Sequence, residues 1–185
     1  MNLIEIFAVA TGLIAVFLAT RQNVWNWPIG LVNVALYAVV FWQSRLYADM
    51  GLQVVYFALS IYGWYEWLYG GSNKTELPVT RSSPRLLLEL AAIAIAFAVI
   101  LGTVLHRYTD AALPYMDSSL SSASLAAQYL LTRKKLENWI VWLVADFCYV
   151  GMFIFKSLYL TAGLYALFVA LAVMGYVQWK RTLVT

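Results

Sequence analysis

Trp142 and Asp146 stand one helical turn apart in an apolar run, and no Lys or Arg lies in the apolar segments opposite to neutralise the carboxylate. A carboxylate kept from water needs a partner or a proton. A cationic ligand supplies the first, and an aromatic wall one turn away suits a flat cationic ring held by stacking and cation–π attraction. Three other segments carry similar stripes. Gln53, Tyr56, Ser60, Gly63, Trp64 and Trp67 recur at spacings of three and four with one extra neighbour. Asp117, Ser121, Ser124 and Gln128 do so in a second segment, and Trp27, Gly30, Asn33 and Tyr37 in a third, while Trp139 and Tyr149 extend the Trp142–Asp146 stripe. Such spacing places each set on one helix face. Burying a charge in hydrocarbon costs on the order of 3 kcal/mol, so these faces should turn towards a shared wet cavity. The predicted ligand contacts are Asn33, Gln53, Tyr56, Ser60, Trp64, Asp117, Ser121, Trp142, Asp146 and Tyr149.

Plainer readings exist for several of these side chains. Ser121, Ser122 and Ser124 suit close helix packing and interhelical hydrogen bonding. Trp25, Trp27, Trp139 and Trp179 lie near the ends of apolar runs, where an interfacial aromatic belt accounts for them as well as binding does. Asp117 sits where a carboxylate would complement a helix N-terminus. Cys148 reads as a small buried apolar residue and His106 as incidental.

The elements that must position these residues follow from composition. Of 185 residues 63% are hydrophobic and only 11% charged, which points to lipid as the solvent. A span takes about 20 apolar residues, and seven runs, near 3–19, 27–43, 50–69, 86–105, 115–131, 139–155 and 161–179, use nearly the whole chain. A large extramembrane enzyme is excluded. The serine-rich fifth run is the weakest, and the first, interrupted by Glu5 with no preceding basic residue, reads as a helix of the mature protein rather than a signal peptide. One Cys and one His exclude an intrachain disulfide and a His-rich metal site, and no cofactor is expected. Arg21, Lys74, Arg81, Arg85, Arg133, Lys134, Lys135, Lys180 and Arg181 share one side, against Arg45, Arg107 and Lys156 on the other. The first side should be cytoplasmic, with the N-terminus outside and the C-terminus inside. These basic residues are topology signals, and no nucleic acid partner is expected. Residues 70–84, rich in Gly, Ser, Pro and Thr, read as a mobile cytoplasmic loop.

An internal repeat organises the runs. Shifting the chain by 112 residues lays Asn26–Trp27 on Asn138–Trp139, Tyr37 on Tyr149, Leu46–Tyr47 on Leu158–Tyr159, Gly63 on Gly175 and Trp67 on Trp179. Thr20–Arg21 falls likewise on Thr132–Arg133. Helices one to three thus match five to seven, and the fourth is left as a linker. An offset of four helices keeps both triplets in the same membrane orientation, a parallel repeat. The expected fold is an all-α integral membrane protein: a three-helix bundle over 1–69, a loop and linker helix over 70–114, and a second bundle over 115–185. Substrate would lie between the halves, and a transporter is the natural reading.

The motifs Gln53-x-x-Tyr56, Tyr62-Gly63-Trp64-x-x-Trp67 and Arg133-Lys134-Lys135-x-Glu137-Asn138-Trp139-x-x-Trp142, with Leu158–Tyr159, resemble the Pnu family of bacterial vitamin transporters. The resemblance covers most of the chain from Arg21 to Trp179. It implies a SWEET-like fold in the bacterial inner membrane, facilitated diffusion of a B vitamin, a homotrimeric assembly, and substrate contacts at Gln53, Tyr56, Trp142 and the position of Asp146. Nicotinamide riboside transporters of the PnuC type have Asn at that last position. The carboxylate is more similar to the thiamine (PnuT) branch, so thiamine is the first expectation and nicotinamide riboside the alternative; neutral riboflavin suits Asp146 least. Two other classes compete. An intramembrane enzyme would need a nucleophile, base and orienting group that the lone His and Cys do not provide. A proton-coupled carrier would use Asp117 or Asp146 as a relay.

Overall fold

The computed structural model describes residues 3–43, 47–109, 113–155, 157 and 159–184. Arg45, Leu46, Lys156 and Leu158, used above for charge balance and repeat matching, lie outside the described residues. Seven α-helices follow one another: α1 Leu3–Thr20, α2 Asn26–Gln43, α3 Tyr47–Tyr69, α4 Pro84–Tyr108, α5 Pro114–Thr132, α6 Asn138–Phe155 and α7 Tyr159–Arg181, with a short 3-10 turn at Ser72–Lys74. All seven apolar runs are helical, including the serine-rich fifth.

Among the described residues three segments are long and apolar enough to cross a membrane by length and composition alone: Pro84–Tyr108, Asn138–Phe155 and Thr161–Arg181. Shorter apolar stretches, Ile6–Thr20 and Asn26–Val40, lie in α1 and α2. Polar residues keep α3 and α5 out of that set. Gln53 and Ser60 in α3, and Asp117, Ser121 and Gln128 in α5, face an internal cavity rather than hydrocarbon.

Six helices form a ring. α1 packs on α2, α2 on α3, α3 on α5, α5 on α6, α6 on α7, and α7 closes onto α1; α4 packs on α5 outside the ring. α4 is correspondingly exposed, with Leu88, Ile93, Ile95 and Ile100 turned outwards. Its start is set by Ser83, whose hydroxyl accepts the Leu86 N–H at 3.2 Å, and by Pro84 in the first turn.

Local structure recurs at positions 112 apart. α1 and α5 end in the same left-handed turn, at Gln22 (φ 56°) and Lys134 (φ 45°). In each turn a backbone N–H reaches back over the helix end, Asn23 to Leu18 O at 3.0 Å and Lys135 to Leu130 O at 2.9 Å. Neither residue is glycine, so each turn carries a strain of about 1 kcal/mol that these bonds offset. Thr20 and Thr132 donate to carbonyls three residues back, and Asn26 and Asn138 to Asn23 O and Lys135 O. The indoles of Trp27 and Trp139 lie on Gly63 and Gly175, where any Cβ would fall well inside van der Waals contact with the ring.

The segment after α3 is pinned, in contrast to the mobile loop expected of its composition. Leu77 N–H donates to Trp67 O, Thr80 N–H to Lys134 O, Leu136 N–H to Thr80 O and Val184 N–H to Val79 O, all at 3.0–3.1 Å. Ser82 N–H donates to the Glu137 carboxylate at 2.8 Å, and Val79 is buried. Gly, Ser and Pro content tells of backbone freedom in isolation, but not of the polar loop ends on which this strap settles.

Candidate substrate-binding site

The ring encloses a cavity of about 730 Å³, a size that holds a drug-sized molecule. α5 supplies Asp117, Ser121, Ser124 and Gln128, one side of a helix whose other face packs against α4. α3 supplies Gln53, Tyr56 and Ser60, and α6 supplies Trp142, Asp146 and Tyr149. Tyr56 of α3, Ser124 of α5 and Tyr149 of α6 line the cavity together, so three helices present hydroxyls to it. Asp146 is 5% exposed, and among the described residues no ion pair reaches it. A carboxylate so placed favours a ligand bearing a cation or paired N–H donors, and Trp142 one turn away offers the flat face.

Nine of the ten predicted contacts line this cavity, and Trp64 does not. Its side chain is 37% exposed on the outer side of α3. A helix turns by 100° per residue, so Ser60 and Gly63 mark the inner stripe while Trp64 falls past its edge. Asn33 lines the cavity, but its amide donates to Ala8 O and lies 3.4 Å from Thr11 Oγ1, which spends that donor on holding α2 to α1. Asp117 does not cap α5. The cap position is Leu113, without a side-chain bond; Asp117 lies in the first turn of α5, where its carboxylate complements the helix N-terminus, and it also lines the cavity. Ser122 is buried, but its hydroxyl donates to Ser118 O at 2.7 Å within α5 itself, so this bond ties no second helix.

Among the lining residues that escaped the sequence reading are Tyr165 and Phe168 of α7. They lie 112 residues beyond Gln53 and Tyr56, so the repeat itself carried the signal. Residue type hid it, because a Gln and a Tyr in α3 become a Tyr and a Phe in an apolar α7.

The end of the cavity nearest the basic loops is closed by tryptophans. Trp27 and Trp67 have ring centroids 5.3 Å apart, Trp67 and Trp179 5.8 Å, and Trp179 and Trp139 5.4 Å. These four are buried, so the interfacial-belt reading fails for Trp27, Trp139 and Trp179 and fits only Trp25, which is 63% exposed. The indole N–H of Trp67 donates to Leu131 O and that of Trp179 to Ala19 O, each at 3.0 Å. Trp27 and Trp139 have buried indole N–H groups without a partner among the described residues. Lys134 lies over the Trp67 ring at 4.7 Å, and its burial lowers its pKa below the usual lysine value, with Glu76 opposing the shift.

The chain is similar to known transport proteins over nearly its whole length. The nicotinamide riboside transporter PnuC of Escherichia coli is 30% identical over 97% of this chain and 85% of its own. The riboflavin/roseoflavin transporter RibM of Streptomyces davaonensis is 26% identical over 91% of this chain and 80% of its own. A crystal structure of the vitamin B3 transporter PnuC superposes with a TM-score of 0.73 at 25% identity, over 95% of this chain and 80% of that one. The model of the family described as nicotinamide mononucleotide transporter matches residues 2–181. With nearly its whole length matched, the chain belongs to this family, that of the Pnu membrane vitamin transporters.

Proposed function

We propose that the protein carries nicotinamide riboside into the cell across the bacterial inner membrane by facilitated diffusion. The observation that carries this reading is that Asp146 and Trp142, one turn apart on α6, both line the cavity, which suits a planar cationic ring. Pyridinium and thiazolium rings both satisfy it. The relatives support placing the riboside first: those named for nicotinamide riboside match over 94% or more of this chain. That reverses the ranking the residues alone favoured, in which thiamine came first. One feature still favours thiamine as the second reading, the carboxylate of Asp146 where the family resemblance implies Asn in riboside transporters.

Charge also separates nucleoside from nucleotide. The ionisable lining groups among the described residues include Asp117 and Asp146 but no Lys or Arg. A phosphate would therefore enter a cavity of its own sign, which disfavours nicotinamide mononucleotide as cargo.

In this reading the basic loops face the cytoplasm. The halves are parallel SWEET-like repeats that re-equilibrate about bound substrate, each state selected by its contacts with the ligand. Titration of the purified protein with nicotinamide riboside, thiamine, riboflavin and nicotinamide mononucleotide, followed by tryptophan fluorescence, tests the substrate. Tightest binding by the riboside supports the proposal, and tighter binding by thiamine establishes the second reading. Uptake into liposomes should stop at equal concentrations; accumulation under an imposed proton gradient refutes facilitated diffusion.

A further inference from the structure

The ring closes at two seams between the halves, α3 on α5 and α7 on α1, and these differ at the basic end. Both share the indole bond, Trp67 to Leu131 O and Trp179 to Ala19 O. Only the first adds charge. Arg133 donates to the Tyr62 hydroxyl at 2.8 Å and to the Glu66 carboxylate at 3.0 Å, and Lys134 covers the Trp67 ring. At positions 112 away Tyr62 becomes Met174, Glu66 becomes Gln178 and Lys134 becomes Gln22, while Arg21 stacks on Phe17 of its own helix. Among the described residues the second seam adds one side-chain bond, Gln22 to Thr182 Oγ1 at 2.7 Å.

The strap deepens the difference. Residues 77–82 run from the end of α3 onto the α5–α6 loop, bonded to Trp67 O at one end and to Lys134, Leu136 and Glu137 at the other, with Lys135 Nζ on Thr80 Oγ1 at 2.9 Å and Val79 O accepting Val184 N–H from the segment after α7 at 3.0 Å. Among the described residues the α1–α2 loop is joined by a side-chain bond to the segment after α7, Gln22 to Thr182, and its Val24 packs on the buried tryptophan cluster. We infer that the basic end opens at the α1–α7 seam while the α3–α5 seam, held by the Arg133–Tyr62–Glu66 contacts and the strap, stays shut as the hinge. Two packed halves that separate at one end must break whichever seam has fewer bonds. Substrate then leaves between α1 and α7, across the floor made by Trp27, Trp139 and Trp179. This inference concerns the moving parts and does not depend on which vitamin is carried.

Matched amides test it without substrate. The bonds Asn23 N–H to Leu18 O and Lys135 N–H to Leu130 O are equivalents in the two halves, so hydrogen-exchange protection of peptides 18–25 and 130–137 compares the seams directly. The first should be at least about tenfold less protected than the second. Equal protection, or the reverse order, overturns the inference. Tethers give the functional arm. In a Cys148→Ser background, cysteine pairs at Gln22 with Thr182 and, separately, at Glu66 with Arg133 are joined by a short bifunctional thiol reagent in liposomes. Each is compared with the same variant unlinked, for whichever of nicotinamide riboside and thiamine that variant carries. Joining 22 to 182 should cut uptake at least about tenfold with vitamin binding kept within about twofold, and joining 66 to 133 should leave uptake within about twofold. A block by the 66–133 tether, or free transport with the 22–182 tether, refutes it.

Discussion

The half containing α1 to α3 and the half containing α5 to α7 share their joints and differ in their lining. Trp27 on Gly63 and Trp139 on Gly175, the two left-handed turns and the crossed indole bonds recur at one offset. The lining does not follow suit. Trp142 and Asp146 of α6 stand opposite Gly30 and Val34 in the register of α2, and Ser121, Ser124 and Gln128 of α5 match Val9, Gly12 and Val16 of α1. On the third helix the exchange runs the other way, with Gln53, Tyr56 and Ser60 matching Tyr165, Phe168 and Ala172. Because α3, α5 and α6 are consecutive in the ring, their polar groups form one continuous arc, and α7, α1 and α2 form a more apolar arc facing it. The chemical division therefore cuts across the structural one. Packing requires the same small and large residues in both halves, whereas an asymmetric ligand requires different groups on its two sides.

The shared joints give the largest expected effect. Gly63→Leu and Gly175→Leu each place a side chain where an indole already lies, and overpacking of this kind costs about 1–3 kcal/mol or more. Both variants should lose thermal stability and detergent-solubilised yield to a similar degree, measured by fluorescence-detected melting. A loss confined to one of them would show that the equivalence of the two joints is only geometric.

The diverged lining comes next. Asp146→Asn removes the charge and keeps the shape, and losing a charge-assisted bond in a shielded site costs roughly 1.5–3 kcal/mol, or about one to two decades of affinity. Thiamine should suffer more than nicotinamide riboside, since the family resemblance implies Asn in riboside transporters. The melting temperature should hold, because the described residues include no ion pair to break. Unchanged affinity for both vitamins would remove Asp146 from the site.

Much of this was legible in the residues. Seven helices, including the serine-rich one, follow from apolar length, and the stripes of α3, α5 and α6 point where spacing says they should. Trp64 shows the limit of spacing alone: three- and four-residue steps accept both edges of a stripe, and only packing decides which edge faces inwards. The tryptophans near span ends misled for a related reason, since an interfacial belt and a buried plug place Trp at the same depth. The strap was illegible because its order comes from the carbonyls and carboxylate of residues 134–137, far away in the chain.

A smaller effect sharpens the contrast between Gln53 and Tyr165. Gln53→Leu removes an amide from the polar arc, and a neutral hydrogen bond is worth about 0.5–1.5 kcal/mol, so affinity should fall by a few-fold to about tenfold. Tyr165→Phe on the apolar arc should change it less, since the ring stays. Equal losses in fluorescence titration would mean that the ligand is gripped evenly and that the two arcs do not differ in function.

The smallest effect separates the seams at a single side chain. Lys134→Gln gives the second half the residue that stands at Gln22 in the first. It removes a cation–π contact worth about 2 kcal/mol when desolvated, and also relieves the desolvation of a buried ammonium, so the two changes oppose each other. Their balance depends on pH in a fixed direction. Burial lowers the pKa of Lys134 in the folded protein below the 10.5 of the unfolded chain, so between those values the unfolded state binds more protons. The desolvation cost is therefore fully present below the lowered pKa and fades as pH rises through it. Wild type should gain stability relative to Lys134→Gln as the medium is made alkaline, with the difference levelling off above the unfolded value. A difference in melting temperature that stays flat from neutral pH to pH 11 would show that Lys134 is held by its stem alone and that its charge contributes nothing to the closed seam.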